Sequence, residues 1–167
     1  MEKLVEILKT VSCPQNVIEH SIKVHELALK IAKNVNISVD VELIAQGAIY
    51  HDIGRSISHS INHAVEGVKI AKKLGLDEGI INIIERHIGS ALTKEDAKSL
   101  GLPIKDYLPL TPEEKIVSYA DNLTIETKEV DFNTAVNRFK RKLGADNPAV
   151  ARLIDMHKEI EAWRQNA

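Results

Sequence analysis

Apolar residues recur at steps of three and four along nearly the whole chain, and no stretch alternates with the period of two that strands require. In the second predicted helix the apolar face runs from Val17 through Val24 and Leu27 to Ile31. The 167 residues are enough to bury a real core, but they leave little room for a second domain. We therefore predict an all-α fold in which residues 1–167 form a single compact multi-helix domain.

Helix ends are marked by capping residues and by glycines. A glycine closes a helix cheaply because it adopts the left-handed conformation, and Gly75 and Gly144 lie where helices should stop. Three pairs have the spacing of a capping box: Ser12 with Gln15, Thr93 with Asp96, and Thr111 with Glu114. The predicted helices span residues 2–11, 13–35, 39–53, 63–74, 77–88, 93–100, 112–125, 131–143 and 148–165.

Five predicted helices each carry a metal-ligand type of residue on the apolar face. These residues are His20, His51, His63, His87 and Asp121. A buried imidazole or carboxylate without a partner costs several kcal/mol, so each needs a hydrogen bond, a counter-charge or a metal ion. A satisfied core histidine is the simpler explanation for any one of them. Taken together, they predict a shared metal site.

The adjacent pair His51 and Asp52 indicates the kind of ion. Imidazole nitrogen and carboxylate oxygen suit a divalent transition metal such as Fe, Mn, Co, Ni or Zn. The single cysteine, Cys13, excludes a thiolate cluster, and it suits a small apolar position at a helix start better than a nucleophile. A mixed nitrogen and oxygen site with open positions can lower the pKa of a bound water and polarise a phosphoryl oxygen. One or two ions are compatible with this set.

Composition argues against several other classes of protein. A formal net charge of −2 gives no overall basic surface for general nucleic-acid or anionic-membrane binding. Aromatic residues make up 4% of the chain, which is few for a single-strand binder that stacks bases. No apolar run approaches the ~18 residues that span a bilayer, and the first residues are unlike a signal peptide. We expect a cytoplasmic location.

Three segments in order resemble the HD-domain superfamily of metal-dependent phosphohydrolases. They are VIEHSIKVHELALKIA, AIYHDIG and SYADNL, which carry the pattern H…HD…D. The resemblance covers about residues 15–125, so the helices in 131–165 are expected to pack on an HD-type core. It implies that His20, His51, Asp52 and Asp121 are metal ligands. The sequence as a whole is similar to a small stand-alone HD family found mainly in archaea.

A further element resembles the two-metal branch of that superfamily. His63 opens the segment HAVEG, and His87 follows 24 residues later. The branch includes the HD-GYP phosphodiesterases and the HD-type di-iron oxygenases. The resemblance implies that Asp52 bridges two ions and that His63 and His87 hold the second ion. Ile88 stands where many HD-GYP enzymes have another histidine, and no Gly-Tyr-Pro follows, which argues against a cyclic-di-GMP enzyme.

The function expected from these features is metal-dependent hydrolysis of a phosphate monoester or diester, in a nucleotide or a small phosphate metabolite. Asp52, His63 and His87 would act on the reacting groups. Arg55 and Lys115 would neutralise charge on the phosphate. The same ligands would serve a di-iron oxygenase, and a non-catalytic nucleotide or metal sensor is a third interpretation. The sequence leaves substrate, metal identity and oligomeric state open.

Three further histidines lie outside the predicted set of metal ligands. His25 lies five positions after His20, about 140° around the helix, so we expect it at the surface or behind the ligands. His59 lies in the irregular stretch 54–62 and is a candidate for contact with substrate or metal. His157 lies in a charged C-terminal helix, where we expect it to be solvated.

Overall fold

Nine α-helices and one short hairpin make up residues 1–165, the part of the chain that the computed structural model describes. The helices are α1 (Glu2–Thr10), α2 (Gln15–Ala32), α3 (Val41–Tyr50), α4 (His63–Lys73), α5 (Glu78–Arg86), α6 (Lys94–Ser99), α7 (Pro112–Asn122), α8 (Phe132–Leu143) and α9 (Pro148–Gln165). Single 3-10 turns span Ile53–Ser56 and Ile88–Ser90. The prediction of an all-α fold is confirmed.

The hairpin is a departure from the expected pattern. Strand β1 (Thr124–Ile125) pairs antiparallel with β2 (Lys128–Glu129), directly after α7. The expectation that no strand would form is wrong at this point of the chain, since strands of two residues are too short to show a period of two. The hairpin contacts α2 and α7. It connects α7 to α8 along the chain.

Helix ends match the capping signals at some positions and depart from them at others. The Thr93–Asp96 capping box is present in full at the start of α6. The prediction of a capping box at Ser12 and Gln15 is wrong. Helix α2 begins after Pro14 without a side-chain cap, and Ser12 has a φ of 58°. Helices α3 and α5 stop at Tyr50 and Arg86, earlier than expected.

The largest core lies around α2, which packs against α3 and α7. Val24, Ile44 and Ile116 are completely buried at its centre. Helices α8 and α9 add Ala135 and Leu153 to this same core.

A second core joins α1 to the beginning of α2 and to α3 and α5. Leu8, Ile49 and Ile84 are completely buried in it. Cys13 is also buried here, and burial, with the nearby charge of Asp52, raises the pKa of its thiol to about 11. A thiol with so high a pKa is a poor nucleophile at neutral pH, which agrees with an apolar role for Cys13.

Across residues 1–165, every helix is too short or too polar to cross a lipid bilayer.

Candidate metal centre

Five segments that are distant in sequence meet at one cluster of side chains. It consists of His20 from α2, His51 and Asp52 just after α3, His63 at the start of α4, His87 just after α5, and Asp121 near the end of α7. The four members from the ends of α3, α4 and α5 are buried, with at most 4% of their surface exposed. His20 and Asp121 are partly exposed. The structure thus brings together all six residues expected to bind metal.

The glycine of HDIG fixes the distance between the His51–Asp52 pair and α4. A Cβ atom at Gly54 would lie 1.8 Å from the carbonyl oxygen of His63 and 2.5 Å from the amide nitrogen of Gly67. A larger residue would force the 3-10 turn away from α4. Gly54 therefore allows His63 to approach Asp52 directly.

All four histidines of the cluster are oriented by a backbone carbonyl. A carbonyl oxygen accepts a hydrogen bond from Nδ1–H, so that Nε2 keeps its lone pair for a ligand. Every one of these Nε2 atoms lies within 4 Å of Asp52 or Asp121. The Nδ1–oxygen distances are 2.7 Å for His20 to Glu126, 2.7 Å for His51 to Ala48, 2.8 Å for His63 to Ser60 and 2.8 Å for His87 to Ile84.

The cluster has two halves that meet at His51. In the first half, Oδ1 of Asp121 lies 3.0 Å from Nε2 of His20 and 3.5 Å from Nε2 of His51. In the second half, Oδ1 of Asp52 lies 3.1 Å from Nε2 of His63 and 3.4 Å from Nε2 of His87. Nε2 of His51 lies 3.7 Å from Oδ2 of Asp52. Each half offers a carboxylate and at least two imidazoles.

These atoms fit a divalent metal ion. Nε2 of His51 and Oδ1 of Asp52 are buried without a hydrogen-bond partner among the described residues, which is costly unless a cation satisfies them. Nε2 of His63 and Nε2 of His87 lie 3.0 Å apart. Two nitrogen ligands about 2.1 Å from one ion would be about 3 Å apart at a right angle. The donor set therefore suits the ions expected from the sequence.

Electrostatics keep both carboxyl groups ionised. Burial alone would raise the pKa of Asp52 and of Asp121, but the neighbouring imidazoles hold both well below the usual range. Burial alone would lower the pKa of His51, yet the charges of Asp52 and Asp121 outweigh it and raise that pKa to about 9. Burial lowers the pKa of His87. The carboxylates are thus available as charged ligands at neutral pH.

Arg55 and Lys115 were both expected to contact the phosphate, and of these two Arg55 lies beside the cluster. Nε of Arg55 lies 2.6 Å from Oδ2 of Asp52, and the guanidinium borders the open space above the metal residues. Lys115 lies elsewhere, because its ammonium group contacts the carboxylate of Glu159 on α9 at 2.7 and 2.9 Å. The placement of Lys115 therefore gives no support to a phosphate contact.

Two cavities open on either side of the cluster. The His20 cavity, about 570 Å³, borders His20, Asp52 and the hairpin. The His87 cavity, about 430 Å³, borders His63, His87 and the face of α8. Arg55, Asp121 and Arg138 line both of them. The cluster of candidate metal ligands therefore borders two cavities and does not lie at the closed end of a single cavity.

The other histidines lie outside the ligand cluster. His25 is buried, with Nδ1 2.9 Å from the carbonyl oxygen of Ala45, so it lies against α3 and not at the surface. His59 is exposed and lines the His20 cavity, where a substrate could reach it. The expectation of a solvated His157 is wrong, because its ring stacks on Phe132 with centroids 3.6 Å apart.

The sequence reasoning missed three residues that border the site. Arg138 and Lys142 on α8 line the His87 cavity, together with Asn122 at the end of α7. The signal for the two cations was the run RFKRK at 138–142, which is basic although the whole chain is slightly acidic. Only the fold could show which members of that run face the metal residues.

Comparison with known sequences agrees with this geometry. A family model described as the HD domain matches residues 17–126. The chain is 48% identical over 162 residues to an uncharacterized protein of Methanocaldococcus jannaschii, and the match covers 95% of each. It is 38% identical to a tRNA (cytidine(56)-2'-O)-methyltransferase of Picrophilus torridus, over 93% of this chain but 45% of that protein. It is 33% identical to a ribonuclease Y of Pseudothermotoga lettingae, over 66% of this chain and 18% of that protein.

Among solved structures, the HD domain of the Listeria monocytogenes phosphodiesterase PgpH in complex with cyclic-di-AMP has a similar fold. The TM-score is 0.57 at 17% sequence identity, and the match covers 99% of each chain. The same HD domain in a second crystal structure also gives a TM-score of 0.57, at 18% identity. At this level of identity the likeness concerns the arrangement of the helices.

Proposed function

The chain belongs to the HD-domain family, and we propose that it is a metal-dependent phosphohydrolase that cleaves a phosphodiester in a nucleotide substrate. One observation carries the proposal. Six nitrogen and oxygen donor residues form a cluster whose histidines all direct Nε2 inward, and the cluster lies between two cavities that share Arg55. A hydrolytic site needs these features: ligands for an ion, a cation for the phosphate and room on both sides of phosphorus.

The candidate ligands would divide between two ions. His20, His51, Asp52 and Asp121 would hold one ion, and His63 and His87 would hold a second ion through Asp52. A bound divalent ion supplies a water of lowered pKa and positive charge near the phosphoryl oxygens. Hydrolysis would join the water oxygen to phosphorus and break the P–O bond to the leaving group, whose oxygen would take the proton that the water loses.

Arg55 is the residue of the chain that would stabilise the negative charge of the phosphate. Its Nε–H donates to Oδ2 of Asp52, which holds the guanidinium in place. Nη1 lies 3.4 Å from the carbonyl oxygen of His59, and the group lines both cavities. A guanidinium fixed at one end in this way offers its remaining N–H groups to a phosphate without further ordering.

The two cavities favour a diester over a monoester. A monoester carries one substituent on phosphorus, whereas a diester carries two, and the cluster has space on both sides. The name of the ribonuclease relative supports a phosphodiester of this kind. Cyclic-di-AMP, the ligand in the PgpH structure, is one substrate to test because it is also a nucleotide diester.

The test is a substrate panel with protein purified anaerobically and reloaded with Fe, Mn, Co, Ni or Zn separately. We expect hydrolysis of bis-p-nitrophenyl phosphate and of nucleotide diesters, and much slower hydrolysis of p-nitrophenyl phosphate. Asp52→Ala is the control and should abolish turnover together with most bound metal. Turnover that requires oxygen, with a mixed-valent iron signal, would replace the proposal by an oxygenase, and preference for monoesters would overturn the diester assignment.

A further inference from the structure

One wall of the His87 cavity is basic. Arg138 and Lys142 lie one turn apart on α8, and both residues line this cavity. Arg138 also reaches the His20 cavity and is half-buried. Lys142 is exposed, but like Arg138 it lines the His87 cavity, so both cations border the space beside the candidate phosphate position.

Neither cation has a carboxylate partner among the described residues. The ion pairs there include Lys115 with Glu159, Arg86 with Glu114 and Arg152 with Asp96, but none involves Arg138 or Lys142. Two unpaired cations on one side of a cavity repel each other and favour an anion between them. The carboxylates of the metal cluster are engaged by imidazoles and by Arg55.

A buried amide at the same wall also lacks a partner. Asn122 is only 4% exposed, and its Nδ2 has no hydrogen-bond partner among the described residues. Its side chain lines the His87 cavity next to Asp121. An unsatisfied buried amide costs free energy unless a ligand completes its hydrogen bonds. The cavity wall therefore includes a buried amide without a hydrogen-bond partner, an observation separate from the two cations.

Part of the cavity wall is apolar. Ile61, Ile88, Phe139 and Leu143 contribute to it. An apolar surface that carries two cations and one amide suits a nucleoside whose base contacts the apolar side chains and whose phosphate contacts the cations. A free inorganic anion would not use the apolar part.

We propose that Arg138, Lys142 and Asn122 form a subsite for the nucleotide next to the scissile phosphate. The inference rests on the proposed function, and it adds that the substrate carries a second phosphate one nucleotide away. Arg138 and Lys142 bind that second phosphate, and Asn122 hydrogen-bonds the same nucleotide. The substrate class is therefore a dinucleotide or longer oligonucleotide, linear or cyclic, rather than a mononucleotide diester.

The test compares linear dinucleotides that differ only in a terminal phosphate: ApA, pApA and ApAp, with cyclic-di-AMP as the cyclic member. We expect the metal-loaded protein to prefer a doubly charged dinucleotide over ApA by about tenfold or more in kcat/KM, the fold-change typical of one charge-assisted hydrogen bond. In Arg138→Ala and Lys142→Ala that preference should fall severalfold, through KM more than kcat. Asn122→Ala should raise KM for all dinucleotides.

Matched controls come from the same helix. Lys140 and Arg141 are exposed and line neither cavity, so Lys140→Ala and Arg141→Ala should keep the preference of the wild-type protein. A second readout is binding of an uncleavable phosphorothioate pApA by calorimetry. Its affinity should fall in the Arg138 and Lys142 variants, and the salt dependence of binding should be weaker in both variants than in the wild-type protein.

The outcomes separate the two proposals. If the wild-type protein hydrolyses no diester with any metal, the proposed function fails. If it hydrolyses ApA, pApA and ApAp equally well, or if Lys140→Ala and Arg141→Ala reduce the preference as much as the cavity variants do, the function stands and the subsite is overturned.

Discussion

Nε of Arg55 and Oδ2 of Asp52 form an ion pair of 2.6 Å across the first turn after HDIG. The other oxygen of Asp52 faces the two histidines of the second half of the cluster. One carboxylate therefore connects the candidate metal ligands to the only arginine that follows them in that turn. If Asp52 binds metal, the same side chain fixes the position of the cation that we propose contacts the phosphate.

The first prediction concerns turnover in Arg55→Ala. Loss of a charge-assisted hydrogen bond made chiefly in the transition state costs about 2–4 kcal/mol, so turnover should fall roughly 30- to 1000-fold. Metal per chain should stay near the wild-type value, because Asp52 keeps its contacts with His63 and His87. Steady-state kinetics and elemental analysis on the same samples give both numbers. Loss of metal together with turnover would mean that Arg55 acts by holding Asp52.

Lys115→Ala is the matched control for that experiment. Its ammonium group pairs with Glu159, and it lines neither cavity beside the cluster. Such a partly exposed pair contributes little to stability, so this variant should fold and turn over like the wild-type protein. A large loss of turnover in Lys115→Ala would contradict the position of this side chain outside both cavities.

The second prediction concerns the glycine of HDIG. In Gly54→Ala the added Cβ would lie 1.8 Å from a backbone oxygen, which cannot move without shifting the start of α4. Overpacking of this kind costs about 1–3 kcal/mol or more. Thermal unfolding should therefore occur at a lower temperature, and metal binding should weaken because His63 is displaced from Asp52.

Gly79→Ala supplies the comparison. Gly79 lies in α5, and a Cβ there would meet only the side chain of Leu43, at 3.0 Å and beyond. A flexible side-chain end can move, and alanine is the better helix former by about 1 kcal/mol. This variant should be close to the wild-type protein in stability and in metal content. Equal destabilisation by both substitutions would contradict a special role for Gly54.

Much of the site could be predicted from helical spacing. His20 and Asp121 lie on apolar faces of long periodic segments, and that alone indicates that they point inward. His51 and His87 also face inward, although α3 and α5 end just before them. A side chain one position past a helix end still continues the direction of the face. The candidate ligands His51 and His87 could therefore be predicted even though α3 and α5 end earlier than expected.

Contacts made by elements far apart in sequence could not be predicted in this way. Lys115 lies on the same helix as Asp121, but α9 places Glu159 beside it. Arg138 lies on α8, which follows the hairpin of β1 and β2, and that hairpin is too short to leave a pattern in the sequence. His25 is buried because α3 packs over it. In each case tertiary packing, which spacing does not encode, decides the partner.

The third prediction concerns pH and His157. Burial lowers the pKa of this imidazole, which stacks on Phe132 and lies 2.5 Å from the hydroxyl of Tyr119. Because the folded-state pKa lies below the unfolded value of about 6.5, the unfolded chain binds more protons there. His157 therefore favours folding fully above that pH, and the contribution is lost as the pH falls from about 6.5 through the folded-state pKa.

Urea unfolding at pH 7.5 and pH 5.5, in the wild-type protein and in His157→Asn, checks this sign. The free energy of unfolding should drop more between the two pH values in the wild-type protein than in the variant. Both proteins keep the histidines of the metal cluster, so their titration cancels in the comparison. An equal drop in the two proteins would show that His157 titrates as it does in the unfolded chain.

The last prediction concerns the number of metal ions. If both halves of the cluster hold an ion, fully loaded protein should approach two ions per chain, and His63→Ala should lower this toward one. His51→Ala should remove most of the metal, because His51 is the member that both three-residue groups share. His59→Ala is the control for metal content, since this residue is exposed and its hydrogen bond with Arg55 is made by the backbone oxygen, which the variant keeps. Elemental analysis after removal of loosely bound metal gives the counts. One ion per chain that is insensitive to His63 and His87 would limit these histidines to contacts with the substrate.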